Sequence, residues 1–127
     1  IINEALDIKI GKRDFIEVGD VDGYRDIGYA KDYMQACFLI MSNDKCDDYV
    51  IGTGKSTKTI DFIKIVFDKL GLDINKNLLI NNKFKRDVDL SHLVADNTKI
   101  IELGWYPTKT VEDIIDIMIN KKKVDRL

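Results

Sequence analysis

The chain of 127 residues is poor in several residue types that mark particular classes of protein. It has one Pro and eight Gly, too few for a collagen-like or low-complexity chain. Its two cysteines, Cys37 and Cys46, show neither CxxC nor Cys/His spacing, so neither a disulfide framework nor a zinc site is expected. No apolar run approaches the ~20 residues that span a bilayer. Basic residues number 20 against 22 acidic ones, whereas a nucleic-acid-binding module carries a basic excess.

The chain is nearly balanced in charge and has enough apolar residues to build a hydrophobic core. Apolar residues make up 45% of it, and its length corresponds to about one domain. A chain of this size buries roughly two thirds of its unfolded surface. We therefore expect a cytoplasmic protein with a hydrophobic core, and neither a nucleic acid nor a membrane as its partner.

Apolar periodicity predicts an alternation of helices and short strands. Five helices are expected, over about residues 1–10, 30–41, 57–70, 96–103 and from 111 onwards. Three short strands are expected over residues 15–18, 49–51 and 78–80, and residues 19–28 are expected to form a polar loop. This alternation is typical of an α/β fold. Three strands are few for a complete doubly wound sheet, which usually has five or six.

The second predicted helix carries a strongly apolar stripe. Met34, Cys37, Phe38 and Met41 are spaced at i, i+3, i+4 and i+7, which places them on one face of a helix. Such a stripe normally faces the interior of a protein, so we expect these side chains to lie in the core. Trp105, in a turn before Pro107, is likewise expected to be a hydrophobic plug.

The turn Gly52-Thr53-Gly54-Lys55-Ser56-Thr57 lies between a predicted strand and a predicted helix, as a P-loop does. A P-loop also needs a glycine five residues before Gly54. That position is Tyr49, whose side chain prevents the loop from opening around a phosphate. The sequence therefore favours a simple strand-to-helix turn, with Ser56 or Thr57 as the helix N-cap, over a P-loop NTPase.

Arginine is scarce, with four Arg among the 20 basic residues, and two of them fall in predicted polar loops. The guanidinium forks of Arg25 and Arg86 suit a diphosphate, although a surface ion pair of little energetic value is the alternative for each. Asp89 follows Arg86 by three residues and could hold ribose hydroxyls, or belong to a solvated charge cluster. No Gly-x-Gly-x-x-Gly and no Tyr-x-x-x-Lys occur, so no complete active site is expected within this chain.

These motifs together give the chain a family resemblance. Residues 18–33 read VGDVDGYRDIGYAKDY, and the Gly52-Thr53-Gly54 turn, the Arg86-x-x-Asp89 pair and LGWYP over residues 103–107 follow in order. The pattern resembles the C-terminal half of the GDP-mannose 4,6-dehydratases, which are extended short-chain dehydrogenases. Ile27 stands where those enzymes usually carry Trp, and Asp89 stands where they carry Glu.

The resemblance implies a fold and a set of site residues. The fold would be the C-terminal, substrate-binding part of a Rossmann-type extended short-chain dehydrogenase, with few short strands and about five helices. Residues 1–127 would form the sugar-nucleotide-binding portion, and the NAD(P)-binding portion would precede Ile1. The implied roles are diphosphate binding by Arg25 and Arg86, ribose binding by Asp89, and a border to the base formed by Val18, Gly19 and Asp20.

The resemblance also implies an activity for the whole enzyme. GDP-mannose would be converted to GDP-4-dehydro-6-deoxymannose by transfer of a hydride from C4 to NADP, elimination of water across C5–C6 and return of the hydride to C6. The partner would be a small-molecule sugar nucleotide, and the full-length enzyme would be a homo-oligomer. Two alternatives stay open: a UDP- or dTDP-sugar epimerase or dehydratase of the same family, and a non-catalytic binding module.

Overall fold

The computed structural model describes residues 1–81, 83 and 92–124. Within these residues the chain forms six helices and five short strands, which confirms the α/β class. In chain order they are α1 (Ile2–Lys9), β1 (Ile16–Val18), β2 (Tyr24–Asp26), α2 (Ala30–Met41), β3 (Ser56–Lys58), α3 (Thr59–Leu70), α4 (Ile74–Asn77), β4 (Leu78–Ile80), β5 (His92–Leu93), α5 (Thr98–Glu102) and α6 (Val111–Val124).

The strands form two small sheets. In the first, β1 and β4 pair in parallel, with Ile16 opposite Leu78. In the second, β2 is central, antiparallel to β3 and parallel to β5. The predicted strands around residues 16–18 and 78–80 are thus confirmed. The prediction of a continuous loop over residues 19–28 is wrong, because β2 lies within it. Its sequence, Tyr-Arg-Asp, lacks the apolar alternation that signals a strand.

The main core lies where α1, α3 and α6 meet. α3 buries Ile63, Val66, Phe67 and Leu70 in it, and Phe67 is 1% exposed. Ala5 and Leu6 of α1 and Ile115 of α6 pack in the same cluster. Gly71 ends α3 with a φ of +65°, a left-handed conformation that glycine adopts without strain. The apolar stripes of these three helices are therefore covered by one another.

A second, smaller cluster contains Ala36 of α2, Ile100 of α5 and Trp105. The Trp105 indole Nε1 donates a hydrogen bond to the backbone oxygen of Asp32 at 2.9 Å. The Asp32 side chain, also buried, accepts from the backbone N–H and the hydroxyl of Thr108, both at 2.8 Å. Trp105 is thus a hydrophobic plug as predicted, and Asp32 fastens the first turn of α2 to the turn that follows α5.

The apolar stripe of α2 is not in the core, contrary to the prediction. Met34 is 64% exposed, Phe38 is 73% exposed and Met41 is 84% exposed, whereas Cys37 is half-buried. The reason is that α2 is apolar on two sides. The side that carries Ala36 packs on the second cluster, and the described chain offers nothing to cover the opposite side. We call the surface formed by Met34, Phe38 and Met41 the outer face of α2.

Residues 49–51 do not form a strand, so that prediction is also wrong. Within the described part of the chain, their backbone makes no backbone-to-backbone hydrogen bond. Tyr49 and Ile51 nevertheless pack against the second cluster, while Val50 between them is 54% exposed. The side chains alternate as in a strand, but no neighbouring strand lies beside them among residues 1–81, 83 and 92–124.

Candidate functional site

The end of β1 places the first group of predicted site residues. The backbone oxygen of Val18 accepts from the N–H of Asn81 at 2.7 Å, which continues the pairing of β1 with β4. The Asn81 side-chain amide donates to Glu17 Oε1 at 2.5 Å. Beyond Gly19, Asp20 Oδ1 accepts from the N–H of Asp22 at 2.9 Å and tightens the turn toward β2. Val18, Gly19 and Asp20 therefore occupy a turn that begins at a sheet edge and is partly open to solvent.

β2 places Arg25, the second predicted site residue that the structure describes. Arg25 lies opposite Thr57 of β3 and opposite Leu93 of β5, in the middle of the three-stranded sheet. Its Nη1 donates to the backbone oxygen of Tyr24 at 2.8 Å, which holds the guanidinium close to its own strand. The Tyr24 ring stacks on His92 of β5, with ring centroids 4.9 Å apart. These neighbours fix the position of β2, and hence of Arg25, between two other strands.

Asp26, which follows Arg25, is the main polar anchor of this region, and sequence reasoning gave it no such role. Its carboxylate accepts from the Thr53 hydroxyl at 2.5 Å and from the backbone N–H groups of Thr53 and Gly54, both at 2.9 Å. It also accepts from the N–H of Ala95 at 3.2 Å. Burial alone would raise the pKa of Asp26, but the bonds from Thr53, Ala95 and Gly54 outweigh burial and hold that pKa below its ordinary value of 3.8. One carboxylate thus ties β2 to the 52–54 turn and to the chain after β5.

The contacts of Asp26 also explain why the turn of Gly52 and Gly54 has a sequence similar to that of a P-loop. The amides of Thr53 and Gly54 donate to Asp26, whereas in a P-loop such amides surround phosphate. A Cβ on Gly52 would lie 2.2 Å from the Cβ of Ala95, and Gly54 has a φ of +71°, so both positions require glycine. The geometry is that of a packed turn, and it gives no support to a P-loop.

The helix after this turn also begins later than predicted. α3 starts at Thr59, because β3 comes between it and the glycines, so neither Ser56 nor Thr57 is its N-cap. The hydroxyl and the backbone N–H of Thr59 both donate to the backbone oxygen of Gly23 at 2.9 Å. The pairing of β3 with β2 delays the helix and secures its first turn to the loop before Arg25.

The other two predicted site residues, Arg86 and Asp89, lie outside the described residues. The ends of the segment that carries them are placed, however. The segment leaves the described chain at Asn81, which bonds to Val18. It returns at His92 in β5, which pairs with β2 beside Arg25. One end of this segment therefore adjoins the turn of residues 18–20, and the other end adjoins the strand of Arg25.

A cavity of about 350 Å³ lies elsewhere, and no described residue of the predicted site lines it. Its walls include two lysines and five hydroxyl side chains, Lys55, Lys109, Thr53, Ser56, Thr57, Thr108 and Thr110. The Thr110 hydroxyl accepts from the N–H of Asp113 at 3.2 Å, as an N-cap of α6 should. Across the described chain, no buried side-chain polar atom lacks a hydrogen-bond partner, so no unsatisfied group marks this cavity as a ligand site.

Residues 1–81, 83 and 92–124 contain no group of three or more His, Cys, Asp or Glu side chains arranged to hold a metal ion. In the same ranges, no helix combines the length and the apolar character needed to cross a bilayer.

Most of the chain matches one known protein family. The family model of GDP-mannose 4,6 dehydratase matches residues 1–118, which include every predicted site residue. The chain belongs to the GDP-mannose 4,6-dehydratase family. It is 30% identical over 115 residues to GDP-mannose 4,6 dehydratase 1 of Arabidopsis thaliana, a match that covers 90% of this chain and 32% of the plant enzyme. It is 28% identical over 138 residues to the human GDP-mannose 4,6 dehydratase, covering 94% of this chain and 37% of that enzyme.

Solved structures share the fold of this family member. RMD from Pseudomonas aeruginosa, determined in complex with NADPH, superposes with a TM-score of 0.85 at 17% identity, over 98% of this chain and 40% of that one. The UDP-glucose 4-epimerase of Thermotoga maritima, determined with UDP-glucose, gives a TM-score of 0.75 at 24% identity, over 96% and 39%. These likenesses confirm the extended short-chain dehydrogenase fold. The chain spans about a third of the length of the curated relatives it matches.

Proposed function

We propose that this chain is the sugar-nucleotide-binding portion of a GDP-mannose 4,6-dehydratase. The observation that carries the proposal is the match of residues 1–118 to that family. Arg25 and Arg86 would bind the diphosphate of GDP-mannose, Asp89 would bind the ribose hydroxyls, and Val18, Gly19 and Asp20 would border the base. Charge-assisted hydrogen bonds from guanidinium forks suit a diphosphate. As the family resemblance implies, the whole enzyme would be a cytoplasmic homo-oligomer that uses NADP.

The geometry supports this assignment through connectivity. Val18 and Arg25 lie on different sheets, and the segment that carries Arg86 and Asp89 runs from a residue bonded to Val18 to a strand paired with β2. The described ends of that segment thus lie beside Val18 and beside Arg25. Asp26 supports the same arrangement, because its four hydrogen bonds fix the end of β2 next to Arg25.

The residues of this chain do not fit NADP. The sequence has no Gly-x-Gly-x-x-Gly loop and no Tyr-x-x-x-Lys pair. The one glycine-rich turn that could resemble a phosphate cradle uses its amides on Asp26. In the proposed enzyme, hydride transfer and acid–base chemistry would therefore be supplied by other residues. The role proposed for this chain is to bind the nucleotide and position the sugar.

Calorimetric titration of the 127-residue chain with GDP-mannose tests the proposal. Arg25→Ala and Arg86→Ala should each weaken binding by about 1.5–3 kcal/mol, the range for hydrogen bonds to charged groups. The matched control is Arg13→Ala, since Arg13 pairs with Glu4 of α1 and plays no part in the proposed site. We expect the control to bind as tightly as the wild type.

The same titration separates the alternatives. Tighter binding of UDP-glucose or a dTDP-sugar than of GDP-mannose would favour an epimerase or dehydratase with another nucleotide. Affinity for GDP-mannose that is unchanged in both Arg25→Ala and Arg86→Ala would contradict the residue assignments. No binding of any of the three nucleotide sugars would favour the remaining alternative, a non-catalytic binding module.

A further inference from the structure

β5 is the shortest of the described strands, and it lies beside the strand that carries Arg25. It consists of His92 and Leu93, which pair in parallel with Tyr24 and Arg25 of β2. Strands in globular proteins usually have about five or six residues, so a two-residue ladder contributes few backbone hydrogen bonds. Side-chain contacts between the two strands must therefore help to hold β5 on β2 in this register.

One such contact is a stack of two aromatic rings. His92 lies directly opposite Tyr24, and the two ring centroids are 4.9 Å apart with an interplanar angle of 26°. Rings stacked at this distance stabilise a cross-strand pair beyond the effect of the area that they bury. A slip of one residue would turn the His92 ring to the other face of the sheet, away from Tyr24. The stack therefore favours the observed register.

Tyr24 also connects this stack to the guanidinium of Arg25. Arg25 Nη1 donates to the backbone oxygen of Tyr24 at 2.8 Å. Gly23, which precedes Tyr24, leaves room for the guanidinium, because a Cβ at that position would lie 3.1 Å from Nη1. The residue whose carbonyl group holds Arg25 is thus the residue whose ring contacts His92, and a displacement of Tyr24 would move both.

His92 is not placed to bind a ligand of Arg25 directly. Successive side chains of a strand point to opposite faces of a sheet, so Arg25 lies on the face opposite Tyr24 and His92. The other cross-strand neighbour of Tyr24 is Lys58 of β3, which has no ring. Among the described residues, His92 is therefore the aromatic partner of Tyr24, and its effect on Arg25 must pass through Tyr24.

We propose that His92 is a positioning residue for Arg25. Its ring holds Tyr24, and the carbonyl group of Tyr24 in turn orients the guanidinium for the diphosphate of the sugar nucleotide. The inference rests on the proposed function for the role of Arg25. It adds to the proposed site the only histidine of the chain.

Calorimetric titration with GDP-mannose tests this role by exchanging the ring. His92→Gln removes the ring but keeps hydrogen-bonding groups, and it should weaken binding about two- to tenfold, the equivalent of one aromatic pair. His92→Phe keeps a ring that can stack and should bind within twofold of the wild type. The matched control is Tyr106→Gln, which removes an aromatic side chain that is 61% exposed and lies outside both sheets. The control should leave the affinity unchanged.

Two further titrations show whether the loss passes through Arg25. In an Arg25→Ala background, His92→Gln should cause no additional loss, whereas in an Arg13→Ala background it should cause the same loss of about two- to tenfold. A general loss of structure would weaken binding equally in both backgrounds. Equal losses in the two backgrounds would overturn the inference, as would a His92→Phe variant that binds as weakly as His92→Gln.

The orientation of Arg25 can also be measured without a ligand. Nitrogen relaxation of the Arg25 Nε–H bond, measured by NMR, should show a more mobile guanidinium in His92→Gln than in the wild type or in His92→Phe. Unchanged mobility would overturn the inference whether or not GDP-mannose binds. Greater mobility, with no binding of GDP-mannose by the wild type, would support the positioning of Arg25 by His92 and contradict the proposed function. GDP-mannose binding that His92→Gln leaves unchanged would support the proposed function and overturn the inference.

Discussion

The core around Phe67 and the region around Phe38 are built from similar residues but differ in how they are covered. Both phenylalanines lie on twelve-residue helices with regular apolar stripes. Phe67 is 1% exposed because α1 and α6 cover it, whereas Phe38 is 73% exposed because nothing in the described chain does. The spacing of apolar residues predicts which side of a helix is apolar. It does not show which polypeptide covers that side.

The largest expected change in the free energy of unfolding separates these two phenylalanines. Phe67→Ala should lower the free energy of unfolding by about 3–5 kcal/mol, because it leaves a cavity in a packed core. Phe38→Ala should change it by less than about 0.5 kcal/mol, as is usual for exposed side chains. Urea denaturation of the two variants provides the measurement. Equal losses of stability would mean that the region around Phe38 is already covered in the isolated chain.

The next largest change in stability is expected at Asp26, which joins the strand of Arg25 to the 52–54 turn. Because its pKa is lower in the folded chain than in the unfolded one, its contribution to stability is complete above pH 3.8 and is lost as the pH falls through the folded-state value. Asp26→Asn should cost about 1.5–3 kcal/mol at pH 7 and less at pH 3. Urea denaturation at the two pH values tests this, with Asp61→Asn on the exposed side of α3 as control. An equal cost of Asp26→Asn at both pH values would contradict a charged role for this group.

A smaller loss of stability is expected at Asp32, whose buried side chain joins α2, the helix of Phe38, to Thr108. Asp32→Ala removes both acceptor oxygens and leaves the N–H and the hydroxyl of Thr108 without them. The free energy of unfolding should fall by about 1–2 kcal/mol, in the lower part of the range for an unsatisfied buried group. A thermal melt followed by Trp105 fluorescence reports on this contact, because Trp105 donates to the same residue. No change in the melt would show that α2 is held without this contact.

The smallest effect is expected at the surface of the covered core. Lys69 of α3 and Asp116 of α6 form an ion pair at 2.7 Å, and the Asp116 side chain is 54% exposed. Lys69→Met should therefore cost only about 0.2–1 kcal/mol, with a loss that shrinks in high salt. Urea denaturation at low and high salt measures it. A loss comparable to that of Phe67→Ala would mean that charge, and not apolar contact, joins these helices.

The elements that the sequence predicts correctly are those whose local pattern matches their surroundings. α3 has an apolar stripe and a terminal glycine, and the described chain satisfies both, so its core face could be predicted. α2 was predicted with the right bounds and the wrong environment, because the spacing of a stripe is the same whether or not the rest of the chain covers it. The prediction of a strand over residues 49–51 is wrong for a related reason. A strand needs a paired neighbour, and the described residues provide none.

The candidate site could be predicted only through chemistry and family motifs. Arg25 was proposed from its residue type, and the strand that carries it was missed because Tyr-Arg-Asp has no apolar alternation. The role of Asp26 could not be predicted, since its partners are 27 to 69 residues away in the sequence. The one available signal was the Gly52-Thr53-Gly54 turn, whose amides need an acceptor if no phosphate is bound. The assigned roles of all six site residues remain predictions: Arg25, Arg86, Asp89, Val18, Gly19 and Asp20.

The contrast between the two regions is tested most directly by hydrogen exchange at the backbone amides of residues 49–51. In the isolated chain these amides have no strand partner among described residues, so they should exchange rapidly. The amides of residues 63–70, which lie within the hydrogen-bonded part of α3 in the covered core, should exchange at least tenfold more slowly. Equal exchange rates in the two segments would contradict the claim that the described chain covers the region around Phe67 and leaves the region around Phe38 uncovered.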